Sequence, residues 1–481
     1  PLQTYIVHLH PPTASLSGSH YQWHLSFLRR SISPDPSSRL LYSYRSAVTG
    51  FAARLSNPEL QFLQSLHGVA SVKPDRRLHI HTTYSYKFLG LDSYTNQGVA
   101  VFGNGTIIGL LDTGIWPESP SFNDSLMPLP PKKWRGVCQE GEAFTSMNCN
   151  RKIIGARFFN RGHQAAMVSN TVAEYQSPRD SHGHGTHTSS TAGGAPVPMA
   201  SVLGNGAGIA RGMAPSAHIA MYKVCWFNGC YSSDILAAMD VAIRDGVDVL
   251  SLSLGGIPTP LYDDNIAIGS FRAMEHGISV TCAAGNNGPF RGTIANEAPW
   301  ITTVAASTLD RRFPATVRMA NKEVLYGESV YPGKHILGAE RELDLVYIVG
   351  TGNGSEYCIQ GSLPRAQVAG KMVVCDRGIN GRAEKGEAVK EAGGAAMILA
   401  NTEINLDEDS IDAHVLPATS IGYTEAVQLK AFMNSTSKPR ARIMFGGTLI
   451  GRSRAPTVAQ FSSRGPSLTN PSILKPDMIA P

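Results

Sequence analysis

Five apolar runs restrict the architecture of this chain more than any other feature. TIIGLL at 106–111, HIAMYKV at 218–224, VDVLSLSL at 247–254, GISVTCAA at 277–284 and WITTVAAS at 300–307 are apolar almost without interruption. A strand with one face in water alternates apolar and polar side chains. A strand that stays apolar is covered on both faces, as in a parallel sheet packed between helices. Helical stretches lie between some of these runs, most clearly from Ser233 to Arg244. There Ile235, Leu236, Met239 and Ile243 share one face, and Gly246 follows as a stop. The predicted fold class is α/β, a parallel sheet with helices on both faces.

The flanking sequence follows other rhythms, and 481 residues suit two or three domains. Residues 1–81 read as a separate α+β unit. TYIVHL, LLYSYRS, GFAARLS and VASVKPDRRLHI are strand-like. SHYQWHLSFLRR is helical, and a second helix is predicted with Asn57 as N-cap, Pro58 at its first position and Gly68 as C-cap. The order β-α-β-β-α-β is ferredoxin-like. Near residue 325 the parallel-sheet rhythm breaks, and DLVYIVG, GKMVVCD, AAMILAN and a helix from Arg382 to Ala392 suggest an inserted domain. After Arg452 the chain is expected to return to the main sheet. The expected division is 1–81, 82–324, 325–451 and 452–481.

A net charge of +5 is mild, and the Lys and Arg residues are scattered, which argues against a nucleic-acid partner. No apolar run is long enough to span a bilayer, so no membrane partner is expected. Cys138 and Cys149, Cys225 and Cys230, and Cys358 and Cys375 form sequence-local couples compatible with disulfides. Cys282 is left over in an apolar run and reads as a buried small hydrophobe. Sequons at Asn104, Asn123, Asn353 and Asn434 also fit an oxidising, secretory route. The chain starts at Pro1 and ends at Pro481 inside LKPDMIAP, so both ends read as internal to a longer protein.

Three phrases carry chemistry. Ile107-Ile108-Gly109-Leu110-Leu111-Asp112-Thr113-Gly114 is a buried strand ending in an acid and a turn. Ser181-His182-Gly183-His184-Gly185-Thr186-His187 opens a helix of small residues, and Thr281-Cys282-Ala283-Ala284-Gly285-Asn286 is a second buried strand ending in an amide. Functional groups of an open parallel sheet gather beyond the carboxyl ends of its strands. A carboxylate there can fix the tautomer of an imidazole and stabilise its protonated form, and an amide can donate to a developing oxyanion. Two other chemistries fit less well. Asp112-Thr113-Gly114 has no second Asp-Thr-Gly or Asp-Ser-Gly to complete an aspartic dyad. The His182, His184, His187 cluster lacks the glutamate of a His-Glu-x-x-His zinc helix.

Together with DTGIWPES, SPRDSHGHGTHTSSTAGG, FSSRGPS and LKPDMIAP, these phrases resemble the signature segments of plant-type subtilisin-like serine proteases, over essentially the whole chain. The resemblance implies that Asp112 orients the imidazole, His184 is the general base and Asn286 the oxyanion donor. It further implies that Ser253-Leu254-Gly255 and Ala283-Ala284-Gly285 flank a protein or peptide substrate and its first specificity pocket. Residues 1–81 then resemble an inhibitor-like propeptide that inhibits its own chain and is cut near His81-Thr82. The insert resembles a protease-associated domain, with substrate selection or homodimerisation as its options. No cofactor or metal is implied, and the expected location is extracellular, in cell wall or apoplast. His79 and His81 could sense acidification, but exposed linker histidines are the expectation.

One departure stands out. The family's nucleophile lies in a Gly-Thr-Ser-x-x-x-Pro phrase, and no Gly-Thr-Ser occurs in this chain. Ser462 and Ser463 belong to FSSRGPS, a separate segment of the family pattern. The chain by itself is therefore expected to be an inactive part of a zymogen. The alternative is a serine-less pseudoprotease acting as a protein-binding module.

Overall fold

The computed structural model describes residues 2–10, 19–31, 36–44, 48–74, 77–78, 88–91, 102–167, 174–333, 338, 340–350, 352–408, 410–451 and 454–481. The expected cleavage point His81-Thr82, and His79, lie outside the described residues. The chain divides into two compact units, one of Pro1–Val197, Ala210–Ala306 and Ser462–Pro481, the other of Pro198–Ile209 and Ser307–Phe461.

The first unit is built on a seven-stranded sheet in which every neighbouring pair is parallel. Its order is Met478–Ala480, Thr302–Ala306, Ser279–Ala283, Val249–Leu252, Ile107–Asp112, His218–Lys223, Ile153–Phe158. At its centre the expectation of two covered faces is met. Every residue of Ile107–Asp112 and His218–Lys223 is buried. Ile107, Leu111, Ala220 and Tyr222 pack with the helices Ser232–Asp245 and Asn265–Glu275. The alternate residues Ile108, Leu110, Ile219 and Met221 pack on the opposite face, where Ala192 of the helix His184–Gly193 joins them. Towards the Met478–Ala480 edge the strands Ser279–Ala283 and Thr302–Ala306 alternate in burial instead, because the described residues cover one of their faces more fully than the other.

In the same unit the N-terminal residues form an antiparallel four-stranded sheet, ordered Leu40–Tyr44, Gly50–Leu55, Gln3–Leu9, Val69–Pro74. The helices His20–Ser31 and Asn57–Gln64 contribute Leu28 and Leu63 to a core with Val7 and Phe51. This is the predicted β-α-β-β-α-β order, with the helix caps shifted. Ser56, not Asn57, is the N-cap of the second helix, because Glu59 reaches back to the Ser56 amide at 2.7 Å. The helix ends at Ser65, and Gly68, at φ +99°, instead turns the chain into the strand Val69–Pro74.

The second unit has its own seven-stranded mixed sheet, ordered Val324–Leu325, Ala315–Met319, Arg440–Phe445, Leu343–Val346, Met372–Asp376, Ala396–Ala400, Ala418–Ile421. The helix Arg382–Glu391 is where the sequence placed it. The unit reaches past 325–451 on both sides and takes in Pro198–Ile209, which is the hairpin Val197–Val202 and Asn205–Ala210 without its two end residues. The local cysteine couples are three disulfides, Cys138–Cys149, Cys225–Cys230 and Cys358–Cys375. Cys282 is free and buried, and burial pushes its thiol far above the usual range. Among the described residues no helix is long and apolar enough to cross a membrane.

Candidate active site

Asp112 closes the central strand Ile107–Asp112, next to the point where the chain order in the sheet reverses. The residue is 1% exposed and both of its carboxylate oxygens are hydrogen-bonded. Oδ1 accepts from the Thr113 amide at 2.6 Å, Oδ2 from Thr188 Oγ1 at 2.9 Å, and His184 Nδ1 lies 2.8 Å from Oδ1 and 3.1 Å from Oδ2. With Nδ1–H held by the carboxylate, Nε2 is the basic nitrogen of the neutral ring.

This approach of helix to strand depends on two glycines. Gly114 adopts φ +118°, and a side chain there would meet Pro178 O at 2.6 Å. A Cβ on Gly185 would sit 2.1 Å from Gly114 O. Any larger residue at 185 would lift His184 away from Asp112.

Asp180 fixes the start of the same helix. It accepts from the amides of His182, Gly183 and Thr186 and from the hydroxyls of Thr113 and Thr186, at 2.7 to 3.0 Å. Burial alone would raise its pKa, but these hydrogen bonds outweigh it and hold the carboxyl below its ordinary value. Asp180 was not singled out in the sequence, although an acid a few residues before a helix is a capping signal. Thr188, one turn beyond His184, was also missed. His187, ring to ring with His184 at 6.2 Å, is pushed down to about 4, first by burial and then by the nearness of the His184 ring. It is therefore neutral at physiological pH. Among the described residues no three His, Cys, Asp or Glu side chains gather as metal ligands.

Ser253-Leu254-Gly255 continues the strand Val249–Leu252, and Ala283-Ala284-Gly285 ends and follows its parallel neighbour Ser279–Ala283. Both segments leave the sheet at the same carboxyl edge as Asp112. They are tied by Asn296, a residue sequence reading passed over. Its buried Nδ2 donates to Leu254 O and Ala283 O, both at 2.7 Å. Asn286 follows Gly285, whose φ is +102°, and is partly buried on this edge. Ser462 and Ser463 both brace the carboxyl edge of the sheet, and the Ser463 amide donates to Gly285 O at 3.0 Å. Ser462 Oγ accepts from the Ala306 amide at 3.1 Å and Ser463 Oγ from the Asn287 amide at 3.0 Å, and both residues are buried. Asn104, Asn123, Asn353 and Asn434 are exposed.

The N-terminal sheet packs at this end of the molecule. Tyr44 donates to Ser233 O at 3.0 Å, Arg161 donates to Leu41 O at 2.6 Å, and His8 meets Asn265 at 3.2 Å. Beyond it, Arg77–Leu78 pairs antiparallel with Gly229–Tyr231.

A seven-stranded parallel sheet with a small antiparallel α+β domain packed beside it is the architecture of a subtilisin-type fold preceded by an inhibitor-like domain. The Subtilase family model matches residues 103–481 and the Peptidase inhibitor I9 model residues 4–81, so the chain belongs to the subtilase family. It is 67% identical, over all of its length and 64% of the relative's, to Subtilisin-like protease SBT1.2 of Arabidopsis thaliana. To Subtilisin-like protease SBT1.7 of the same plant it is 48% identical over 99% of the chain and 63% of the relative. The chain thus spans somewhat under two thirds of these relatives. A solved structure, the epidermin leader peptide processing serine protease of Staphylococcus aureus, shares 14% identity over 63% of this chain and 69% of its own, with a TM-score of 0.39.

Proposed function

We propose that the chain carries the propeptide and the acid–base part of a secreted subtilisin-like endopeptidase that hydrolyses peptide bonds. The reading rests on one observation above the others, the 2.8 Å contact of His184 Nδ1 with a carboxylate that two other donors, the Thr113 amide and Thr188 Oγ1, orient. In this reading His184 takes the proton of a nucleophilic serine and returns it to the leaving amine. Asp112 holds the ring and its positive charge, and Asn286 donates to the oxyanion. Ser253-Leu254-Gly255 and Ala283-Ala284-Gly285 pair with an extended substrate.

Residues 1–81 act as an intramolecular inhibitor released by cleavage near His81-Thr82. The antiparallel pairing of Arg77–Leu78 with Gly229–Tyr231 supports a tail laid in the substrate direction. The division into 1–81, 82–324, 325–451 and 452–481, with 325–451 a protease-associated domain, belongs to the same reading. So do attachment of glycans at the four sequons and an extracellular location. The three disulfides favour that location.

The serine is not supplied by these 481 residues, which contain no Gly-Thr-Ser. The chain alone is therefore inactive, since an oriented base forms no acyl-enzyme without a nucleophile. The test is labelling by a serine-directed phosphonate. Protein extended through a Gly-Thr-Ser phrase is expected to label and to cleave peptides, whereas residues 1–481 do neither. Labelling of residues 1–481 would overturn the assignment. If the natural product contains no such phrase, the binding-module reading takes its place.

A further inference from the structure

We propose that Lys223 is a positioning residue for the imidazole of His184, acting through the segment that ends at Asp180. The proposal rests on the reading of His184 as the general base, and its first readout needs no catalysis.

Lys223 closes the strand His218–Lys223 and pairs in register with Asp112 on the neighbouring parallel strand. Paired residues of parallel strands point to the same face of the sheet. Here that is the face of Ile219 and Met221, where the helix His184–Gly193 packs. Those neighbours are apolar, so the face itself asks for no ammonium. Lys223 is nevertheless 0% exposed. Its ammonium donates to Arg179 O at 2.8 Å and to Tyr175 O at 3.4 Å. It also lies 3.9 Å from the Glu174 carboxylate and 4.2 Å from the centre of the Trp226 ring. Burial lowers its pKa to about 8, with Glu174, Asp180 and Glu142 acting the other way. A buried charge is costly unless its partners are held in place. What this one gains is a fixed Arg179 carbonyl.

From that carbonyl a run of contacts leads to the base. The same segment is held by backbone hydrogen bonds to Ile115, whose amide donates to Pro178 O at 3.0 Å and whose carbonyl accepts from the Asp180 amide at 3.2 Å. The Asp180 carboxylate in turn takes the amides of His182, Gly183 and Thr186. Thr113 Oγ1 donates to Asp180 and accepts from the Gly185 amide at 2.7 Å. His184 therefore sits in a turn whose hydrogen bonds converge on Asp180, and Lys223 pins the residue before Asp180. Without the ammonium, two buried carbonyls lose a donor and the segment can move, taking Asp180 with it. A displacement of about 1 Å at the base costs about a hundredfold in rate.

The test compares Lys223→Met, which keeps most of the side chain's length and removes its charge, with Lys385→Met as control. Lys385 is equally buried, donates to Tyr357 O at 2.7 Å and belongs to the second unit. In residues 1–481 the proton NMR resonance of His184 Nδ1–H, identified by its absence from His184→Ala, is read first. Lys223→Met is expected to lose or broaden it, and Lys385→Met to leave it unchanged. In protein extended through a Gly-Thr-Ser phrase, Lys223→Met should lower kcat at least about tenfold with KM within about twofold. Lys385→Met should leave both within about twofold. An unchanged resonance or an unchanged kcat in folded Lys223→Met overturns the proposal. So does equal loss in the two variants, or absence of the resonance from the wild type. If Lys223→Met does not fold, Lys223→Gln, which keeps a neutral donor, is read in its place with the same expectation. Failure of both to fold beside a folded Lys385→Met also overturns the proposal, since Lys223 would then serve folding alone. An extended protein that loses the resonance in Lys223→Met but cleaves nothing even as wild type would refute the peptidase reading and keep the positioning role. Cleavage that Lys223→Met leaves intact would do the reverse.

Discussion

The hydroxyl of Tyr42, on the N-terminal sheet, donates to the Asp234 carboxylate at 2.5 Å, in the first turn of the helix Ser232–Asp245. Asp234 is wholly buried and also accepts from the amides of Gly162 and His163, both at 2.9 Å. Burial raises its pKa to about 6 even though these hydrogen bonds oppose the rise. Tyr42→Phe removes one donor to a buried carboxylate, worth about 1.5–3 kcal/mol. The N-terminal sheet should then dock about tenfold or more less tightly. Faster limited proteolysis of residues 1–81 in the variant is the expected reading, and unchanged protection would refute it.

The contact of Gly185 with Gly114 predicts a steric effect. Gly185→Ala places a methyl group 2.1 Å from a backbone oxygen, which no rotamer change can relieve. A loss of about 1–3 kcal/mol in unfolding free energy is expected, measured by denaturant titration. A variant of unchanged stability would mean that helix and strand slide apart without cost.

His8 gives a pH dependence with a defined sign. Docked, it is pushed down to about 4 from its ordinary 6.5, first by burial and then by Lys73, with the Asn265 hydrogen bond and Asp263 acting the other way. A depressed histidine pKa means the docked state holds the ring neutral. Docking by this group is undiminished above pH 6.5 and weakens as pH falls from 6.5 towards 4, where the freed ring takes a proton. His8→Asn should remove about tenfold of the difference in docking between pH 7 and pH 5. Protection of residues 1–81 from proteolysis at the two pH values, compared between variant and wild type, reads the effect.

Asp112→Asn keeps the size of the side chain but removes its charge. The ring of His184 can then reverse its tautomer and turn its basic nitrogen towards the amide. In protein extended through a Gly-Thr-Ser phrase, kcat is expected to fall by about 10⁴ with little change in KM. A fall of less than tenfold would show that Asp112 does not orient the base.

Much of this was legible in the sequence because it is local. Two-faced burial of Ile107–Asp112 follows from its unbroken apolar run, and the C-cap at Gly246 from the end of a 3.6-residue period. The shifted caps at Ser56 and Ser65 show the limit. Asn57 and Ser56 are both acceptable N-caps, and the choice fell to whichever amide Glu59 could reach. The strands Ala315–Met319 and Arg440–Phe445, which pair with each other, went unread. Neither run is continuously apolar, and Arg318 and Arg442 interrupt them.

The sequence by itself determined the family and the parallel sheet, and it singled out Asp112, His184 and Asn286 as candidates, since each sits in a phrase whose period or strand end is written within a few residues. Only the tertiary structure revealed Asn296 as the tie between Leu254 and Ala283, 42 and 13 residues away. Only it placed Glu297 against Thr469 and Asn470, 172 and 173 residues on. A hydrogen bond between distant segments leaves no periodicity in the chain. It exists only once strand order and register have brought the two ends together, and for this molecule that is settled by packing.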